Sequence, residues 1–184
     1  MPEGKLVLVP YNLARLGDRL VGLDAFSWPF LEKRYRVVLL AHPVAYIEEV
    51  KGAADCRLDA RVSVSEQIEE IRRIAAKKPE PPKMPRIRLG ARLAWLFFPL
   101  SMLRHVFEEE AKGFEITEET QAVGLAKALS KLEPVGGTSY AVFSLSGDEF
   151  YPVQENMRRI YSELARRDPG YNEAVERARA LCKA

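Results

Sequence analysis

The chain has 184 residues, of which 47% are apolar and 29% charged, and its formal net charge at pH 7 is +2. This balance is typical of a globular protein rather than a disordered one, and the small net charge gives no global signal for nucleic acid or membrane. The longest uncharged apolar run, 93–103, is too short to span a bilayer. The N-terminus leads into a strand pattern without a signal peptide, so we expect a cytoplasmic protein.

Amide and cysteine usage suggests a hot habitat. The chain contains three Asn and three Gln, and Arg outnumbers Lys, which are thermophile tendencies. Mesophilic cytosolic cysteines are normally free, but hyperthermophile proteins use disulfides inside the cell. Cys56 and Cys182 therefore have two interpretations, a disulfide bridge or two separate buried thiols.

The N-terminal half predicts a βαβ unit. Residues 5–9 and 35–41 contain continuous apolar runs, which are typical of strands covered on both faces, and 37–40 is the predicted central strand. Leucines recur at helical spacing over 13–23, between these two strands. Residues 56–62 alternate apolar and charged side chains, which predicts a third strand at the edge of the sheet.

The order of elements from Lys5 to Lys78, with Ala54-Asp55 entering the third strand, resembles the first half of many nucleotide-binding α/β domains. The N-terminal domain of ATP-grasp enzymes is one of them. The resemblance is one of shape, covers under half of the chain and carries no diagnostic residue.

The rest of the chain predicts more helix. Residues 44–50 predict a short helix, and Ser63 and Glu66 form a capping box that opens the next one. Four prolines within 79–85 predict an extended connector. Beyond the connector, the patterns predict a helix over 86–112, a helix after Thr117 and a strand over 139–145. They also predict a helix that begins near Val153 and a last helix that begins near Asp168 and ends near Cys182.

These patterns predict a single α/β domain over 1–184. Its fold would be a three-layer, Rossmann-like one, with a mainly parallel sheet of about four strands and helices on both faces. The connector at 79–85 would separate the βαβ half, 1–78, from the helical and C-terminal strand-helix half.

Polar residues follow three of the predicted strands. They are Asn12, His42, and the group Ser144, Ser146 and Asp148. Ligands of open parallel sheets bind beyond the carboxyl ends of the strands, so these residues predict a small-molecule or nucleotide site at that edge. The alternative is that they only cap the helices that follow.

No motif names a reaction or a cofactor. The loop after residues 5–9 contains no glycine, so both the dinucleotide fingerprint and the P-loop are absent. His42, Ser146 and Asp148 lack the hydrolase nucleophile elbow, and the two histidines and two cysteines match no zinc spacing. Whether the protein is an enzyme therefore stays open, and no metal is predicted.

Residues 77–104 are locally basic and contain Arg92, Trp95, Phe97 and Phe98. Aromatic side chains flanked by arginines are enriched in protein interfaces, so a helix over 86–107 is the second functional hypothesis, a homodimer or partner contact. Basic residues with aromatic ones also occur on nucleic-acid surfaces, but Leu93, Leu96, Phe97 and Leu100 on one helical face favour core or interface instead.

Overall fold

The computed structural model describes residues 4–43, 54–77 and 118–183. The strands in these stretches are β1 (Lys5–Leu16), β2 (Arg19–Asp24), β3 (Ala41–Pro43), β4 (Cys56–Arg57), β5 (Glu133–Ser146) and β6 (Glu149–Pro152). The α-helices are α1 (Lys33–Leu40), α2 (Val64–Ala75), α3 (Glu118–Leu129), α4 (Glu155–Arg167) and α5 (Gly170–Cys182), and a short 3₁₀ helix covers Trp28–Phe30.

The sheet is antiparallel, so the prediction of a mainly parallel, Rossmann-like sheet is wrong. Its five main strands lie in the order β3-β2-β1-β5-β6, and every neighbouring pair in that order is antiparallel. The short strand β4 adds a two-residue parallel pairing to β1, beside the end of β2. The fold is mixed α/β, but it is not the βαβ arrangement that the apolar runs suggested.

Two tight hairpins enforce this arrangement. Gly17-Asp18 joins β1 to β2, and Gly147-Asp148 joins β5 to β6. Both glycines have positive φ, 59° and 54°, which a two-residue hairpin loop needs at its first position and which glycine adopts without a steric cost. The helix predicted over 13–23 is therefore wrong, because the leucines at helical spacing belong to the two strands of a hairpin.

The predicted central strand over 37–40 lies in helix α1 instead. A short apolar run cannot by itself distinguish a buried strand from a buried helix. Here tertiary contacts favour the helix, because the Asp168 carboxylate accepts the Glu32 N–H at 2.8 Å at its start and Arg36 pairs with Glu70 of α2. Tyr35 and Val37 then bury their side chains in the core.

Other elements agree better with their sequence patterns. The capping box of α2 is confirmed, with Ser63 and Glu66 each bonding the other's backbone N–H. Helices α3, α4 and α5 lie where the periodicity predicts them, and β5 contains the predicted strand 139–145. Of the predicted strand 56–62, only Cys56–Arg57 is a strand.

The two faces of β1 contact different helices. Val7, Val9 and Tyr11 lie on one face and are fully buried, and Tyr161 of α4 contacts Tyr11 there. Asn12 lies on the opposite face, where Gln67 of α2 bonds to its side chain. The sheet therefore joins two helical groups through alternate residues of one long strand.

A disulfide fixes the C-terminal helix to the sheet. Cys56 of β4 and Cys182 of α5 are bonded, with their Cα atoms 5.6 Å apart, within the range that disulfides need. The Lys5 ammonium also donates to the Cys182 carbonyl at 2.9 Å. The end of α5 is thus anchored to both β1 and β4.

Several predictions fall outside the described residues. These are the helix over 44–50, the connector at 79–85 and the contact helix over 86–107 with Arg92, Trp95, Phe97 and Phe98. Within the residues that are described, no helix is long and apolar enough to cross a membrane.

Candidate functional site

Asn12 is a framework residue rather than a loop residue at a sheet edge. Its side-chain amide donates to the Val62 carbonyl and to the Gln67 side chain, both at 2.8 Å. Gln67 in turn donates to the Asp24 carbonyl at 2.9 Å and is completely buried. These bonds fix α2 and the loop before it to the β1–β2 hairpin.

The other residues of the predicted site do not gather around Asn12. Ser144 pairs with Leu6, six residues along β1 from Asn12, which is a separation of about 20 Å along a strand. Ser146 and Asp148 lie beyond Ser144 at the β5–β6 turn, and Asp148 binds Arg179 of α5. Because neighbouring strands run in opposite directions, their C-terminal loops lie at opposite ends of the sheet.

His42 lies on β3, opposite Gly22 of β2. Gly22 pairs with Leu13, so the His42 backbone is at the Asn12 end of the sheet, two strands away from β1. The ligand-binding role predicted for these residues stays a prediction, but the shared edge on which we based it does not exist.

A fully buried cluster of oxygens surrounds Asp24. One carboxylate oxygen accepts the backbone N–H groups of Phe26 and Ser27 at 2.8 and 2.7 Å, and the other accepts the Tyr161 hydroxyl at 2.6 Å. The Tyr11 and Tyr161 hydroxyls are also bonded to each other. The cluster ties β1, β2 and α4 together on the face opposite Asn12.

Burial dominates the titration of this cluster. It raises the pKa of Asp24 above its ordinary value, although hydrogen bonds from Tyr161, Ser27 and Phe26 oppose the change. It also raises the pKa of Tyr11 and Tyr161 far above that of a free tyrosine. A strongly shifted carboxyl group is a candidate catalytic group. Asp24 is completely buried, however, and it lines neither the cavity nor the furrow described below.

A cavity of about 340 Å³ lies among α1, α2 and α3. Its apolar lining comes from Ile74 of α2 and from Ala122 and Val123 of α3. Its polar lining comes from the start of α1 and from the residues after α2, and consists of Glu32, Lys33, Arg34 and Lys77. The volume lies within the range of small-molecule pockets.

The walls of this cavity are held in place by contacts outside it. The Glu70 carboxylate of α2 accepts two bonds from Arg36 of α1 and one from the Trp28 indole, at 2.8 to 2.9 Å. Arg72 of α2 donates to the carbonyls of Ser130 and Leu132, just after α3. Ion pairs and hydrogen bonds therefore fix α2 to both of its neighbours and preform the cavity.

The electrostatic character of the cavity is cationic. The Glu32 carboxylate pairs with Arg34 at 3.0 Å, so these two charges offset each other. Lys33 and Lys77 are exposed and take part in none of the ion pairs of the described residues. The two ammonium groups leave the described lining with a net charge of about +2 at neutral pH.

Another depression is a furrow along α4, of about 450 Å³. Its lining consists of Glu155, Arg158, Arg159, Ser162, Glu163 and Arg166, all from one helix. Glu163 is bonded to Arg166 and Arg167, and these bonds lower the pKa of Glu163. None of the described residues that line the furrow has an apolar side chain, and we interpret it as the solvated face of an amphipathic helix.

One face of the sheet presents two tyrosine–arginine pairs. Tyr140 of β5 and Arg57 of β4 are in contact across β1, with the guanidinium 4.4 Å from the ring centre. The guanidinium of Arg158 in α4 lies 5.9 Å from the ring centre of Tyr151 in β6. Leu8 and Val142 between them are half-buried, in contrast to the fully buried Val7 on the other face.

Comparison with known proteins does not identify a relative. No protein-family model, curated protein or solved structure matches the chain significantly. Within the described residues, no group of three His, Cys, Asp or Glu side chains could hold a metal ion.

Sequence patterns did not reveal the cavity residues. Lys77 has the sequence context of a helix C-terminus, and Lys33 stands before what resembled a strand. Neither residue has a neighbour in sequence that marks a site, because the cavity forms only when three separate helices pack together.

Proposed function

We propose that the protein binds a small molecule non-covalently, in the cavity among α1, α2 and α3 rather than at the edge of the sheet. The observation that carries the proposal is the combination of an apolar floor and cationic rim in one cavity of ligand size. A floor formed by Ile74, Ala122 and Val123 would contact the body of the ligand, and the rim would orient it.

The fixed positions of the helices support this proposal. Binding is weakened when a protein must order its own side chains or loops on contact with the ligand. The cavity walls are ordered beforehand, through Glu70 between α1 and α2 and through Arg72 between α2 and the end of α3. A ligand would therefore enter a site that already has its shape.

The described lining favours binding over catalysis. It contains no His, Cys, Ser, Thr or Tyr side chain, the usual sources of a nucleophile or a general base. Its carboxylate, Glu32, is occupied by Arg34. We therefore propose that this cavity binds a ligand rather than converts one.

The test is a thermal-shift screen of nucleotides and common metabolites, followed by methyl NMR of the protein with any compound that stabilises it. A ligand at a hundredfold excess over its Kd stabilises by about 2.7 kcal/mol. The methyl signals of Ile74 and Val123 should shift, and those of Val9, buried in the sheet, should stay in place. No stabilising compound, or shifts confined to another part of the protein, would contradict the proposal.

A second candidate function is partner binding, which the half-exposed sheet face favours. Tyrosine and arginine are enriched at interface hot spots, and Tyr140, Arg57 and Tyr151 lie together on this face. The contact helix that the sequence predicts over 86–107 stays a prediction.

Both versions of the partner hypothesis have a direct test by sedimentation velocity. If 86–107 forms a homodimer contact, the wild type sediments as a dimer and Phe97→Asp gives a folded monomer. If the sheet face forms the contact, Tyr140→Asp dissociates the dimer instead. A monomeric wild type would contradict the homodimer hypothesis. An unfolded Phe97→Asp variant would show that Phe97 belongs to the core.

A further inference from the structure

We infer that the ligand of the cavity is an organic anion, a carboxylate or a phosphate monoester on a mainly apolar body. This inference rests on the proposed function, since it concerns the same cavity. It is carried by the arrangement of charge around the apolar floor.

The first step is the sign of the charge. Among the described lining residues, three side chains are cationic and one is anionic. The anionic one, Glu32, is 3.0 Å from Arg34 and offsets that charge. Lys33 and Lys77 remain, one at the start of α1 and the other two residues after the end of α2, so they reach the cavity from two separate segments of the chain.

The second step concerns what these lysines do elsewhere in the fold. The neighbouring cations have structural partners, such as Arg36 with Glu70 and Arg72 with Ser130 and Leu132. The side chains of Lys33 and Lys77 contribute to none of the side-chain hydrogen bonds or ion pairs between described residues. Lys33 is also the first residue of α1, where an acidic side chain would suit the helix dipole better.

The third step is the shape of the ligand. A simple inorganic anion would gain little from Ile74, Ala122 and Val123, because an ion prefers water to an apolar wall. A molecule with a short hydrocarbon part would place that part on the floor and its charged group at the cationic rim that Lys33 and Lys77 form. The charged group could be a carboxylate or a phosphate, and both would be recognised by the same pair of lysines.

The probes for the test are hexanoate, hexyl phosphate and hexan-1-ol, titrated by calorimetry at low ionic strength into the full chain. The two anions should bind and the alcohol should bind at least tenfold more weakly. Raising the salt concentration to 0.5 M should weaken binding of the anions and leave the alcohol unchanged. Tighter binding of hexyl phosphate than of hexanoate would indicate a phosphate ligand, and the reverse order a carboxylate.

Variants that remove positive or negative charge from the cavity lining test the same inference. Lys33→Glu and Lys77→Glu should each weaken hexanoate binding roughly five- to fiftyfold, whereas Glu32→Gln should strengthen it roughly three- to tenfold. Lys127→Glu is the matched control, because Lys127 is an exposed lysine of α3 outside the cavity lining. Lys33→Glu should not harm folding, since it puts an acid in the first turn of α1.

Failure of this inference is distinguishable from failure of the proposed function. Equal binding of the alcohol and the anions, unchanged by the charge variants, would overturn the anion inference and leave a ligand site in the cavity. If neither these probes nor the broader screen produced binding at the Ile74 and Val123 methyls, the proposed function would fail as well.

Discussion

The Asp24 cluster and the cavity among α1, α2 and α3 both combine charged groups with apolar side chains, but they differ in access to solvent. Asp24 is completely buried, and its carboxylate accepts three hydrogen bonds from the protein itself. Lys33 and Lys77 are exposed at the rim of a cavity, and their ammonium groups donate no such bond among the described residues.

Because of this difference, stability and binding can be tested separately in the two regions. A buried polar group whose bonding capacity is filled stabilises one conformation, and its loss leaves its partners unsatisfied. An exposed cation beside an apolar floor adds little to stability, so its substitution tests ligand binding with little effect on folding. Substitutions of buried, hydrogen-bonded residues such as Asp24 should therefore change the free energy of unfolding. Substitutions of Lys33 and Lys77 at the cavity rim should change ligand affinity.

The largest expected effect on stability concerns the Cys56–Cys182 disulfide. Replacing both cysteines, in Cys56→Ala/Cys182→Ala, opens a loop that spans 126 residues, so the free energy of unfolding should fall by about 4 kcal/mol. Urea unfolding with and without reductant measures this change. Reductant should destabilise the wild type and leave the double variant unaffected, and a wild type that is insensitive to reductant would contradict the bridge.

The next effect concerns Asp24 itself. Asp24→Ala leaves two backbone N–H groups and the Tyr161 hydroxyl without their acceptor, and should cost about 3 kcal/mol. Asp148→Ala is the control, because the Asp148 side chain is 97% exposed and its ion pair with Arg179 is worth less than about 1 kcal/mol. Similar losses in the two variants, measured by urea unfolding, would show that the cluster has no special role.

Asp168 connects the framework to the cavity. It is buried and accepts the N–H groups of Glu32 and Gly170, both at 2.8 Å, so it fixes the start of α1 beside the cavity. Asp168→Ala should cost about 2 kcal/mol and also weaken hexanoate binding several-fold, because Lys33 loses its fixed position. A loss of stability with unchanged affinity would mean that the rim does not depend on this contact.

Sequence reasoning succeeded where local patterns decide the structure. Ser63 and Glu66 specify the start of α2, and the periodic apolar residues of 153–164 place α4, because capping and amphipathicity depend on residues only a few positions apart. The strand over 139–145 is likewise present within β5.

The same reasoning failed where distant residues decide. The apolar run at 37–40 is helical, because its start is capped from Asp168 and its side is paired with Glu70, two contacts far away in sequence. Gly17-Asp18 was a hairpin signal that the leucine spacing obscured. A parallel sheet would place Asn12 and Ser144 at one edge, but their antiparallel strands place them about 20 Å apart.

The pH dependence of stability offers a smaller test of the buried cluster. Because the folded pKa of Asp24 is raised above 3.8, its contribution to stability is fully present below pH 3.8 and is lost as the pH rises through the folded pKa. Asp24→Asn cannot titrate, so the difference in unfolding free energy between wild type and this variant should decrease over that window. The depressed pKa values of Glu66 and Glu163 act with the opposite sign, and they cancel in the comparison. A constant difference between pH 3 and pH 8 would show that burial does not perturb Asp24.

The smallest effect on stability should come from the cavity rim. Lys33→Glu and Lys77→Glu remove no hydrogen bond or ion pair between described residues, so each should change the free energy of unfolding by less than about 0.5 kcal/mol. Asp24→Ala should show the reverse, a large loss of stability but unchanged hexanoate affinity at a temperature where the variant is folded, since Asp24 does not line the cavity. Urea unfolding and calorimetric titration on the same variants together test whether Asp24 serves stability and the two lysines serve ligand binding. If Lys33→Glu destabilised the protein by 2 kcal/mol or more, Lys33 would have a structural role, and its exposed position would no longer point to a ligand.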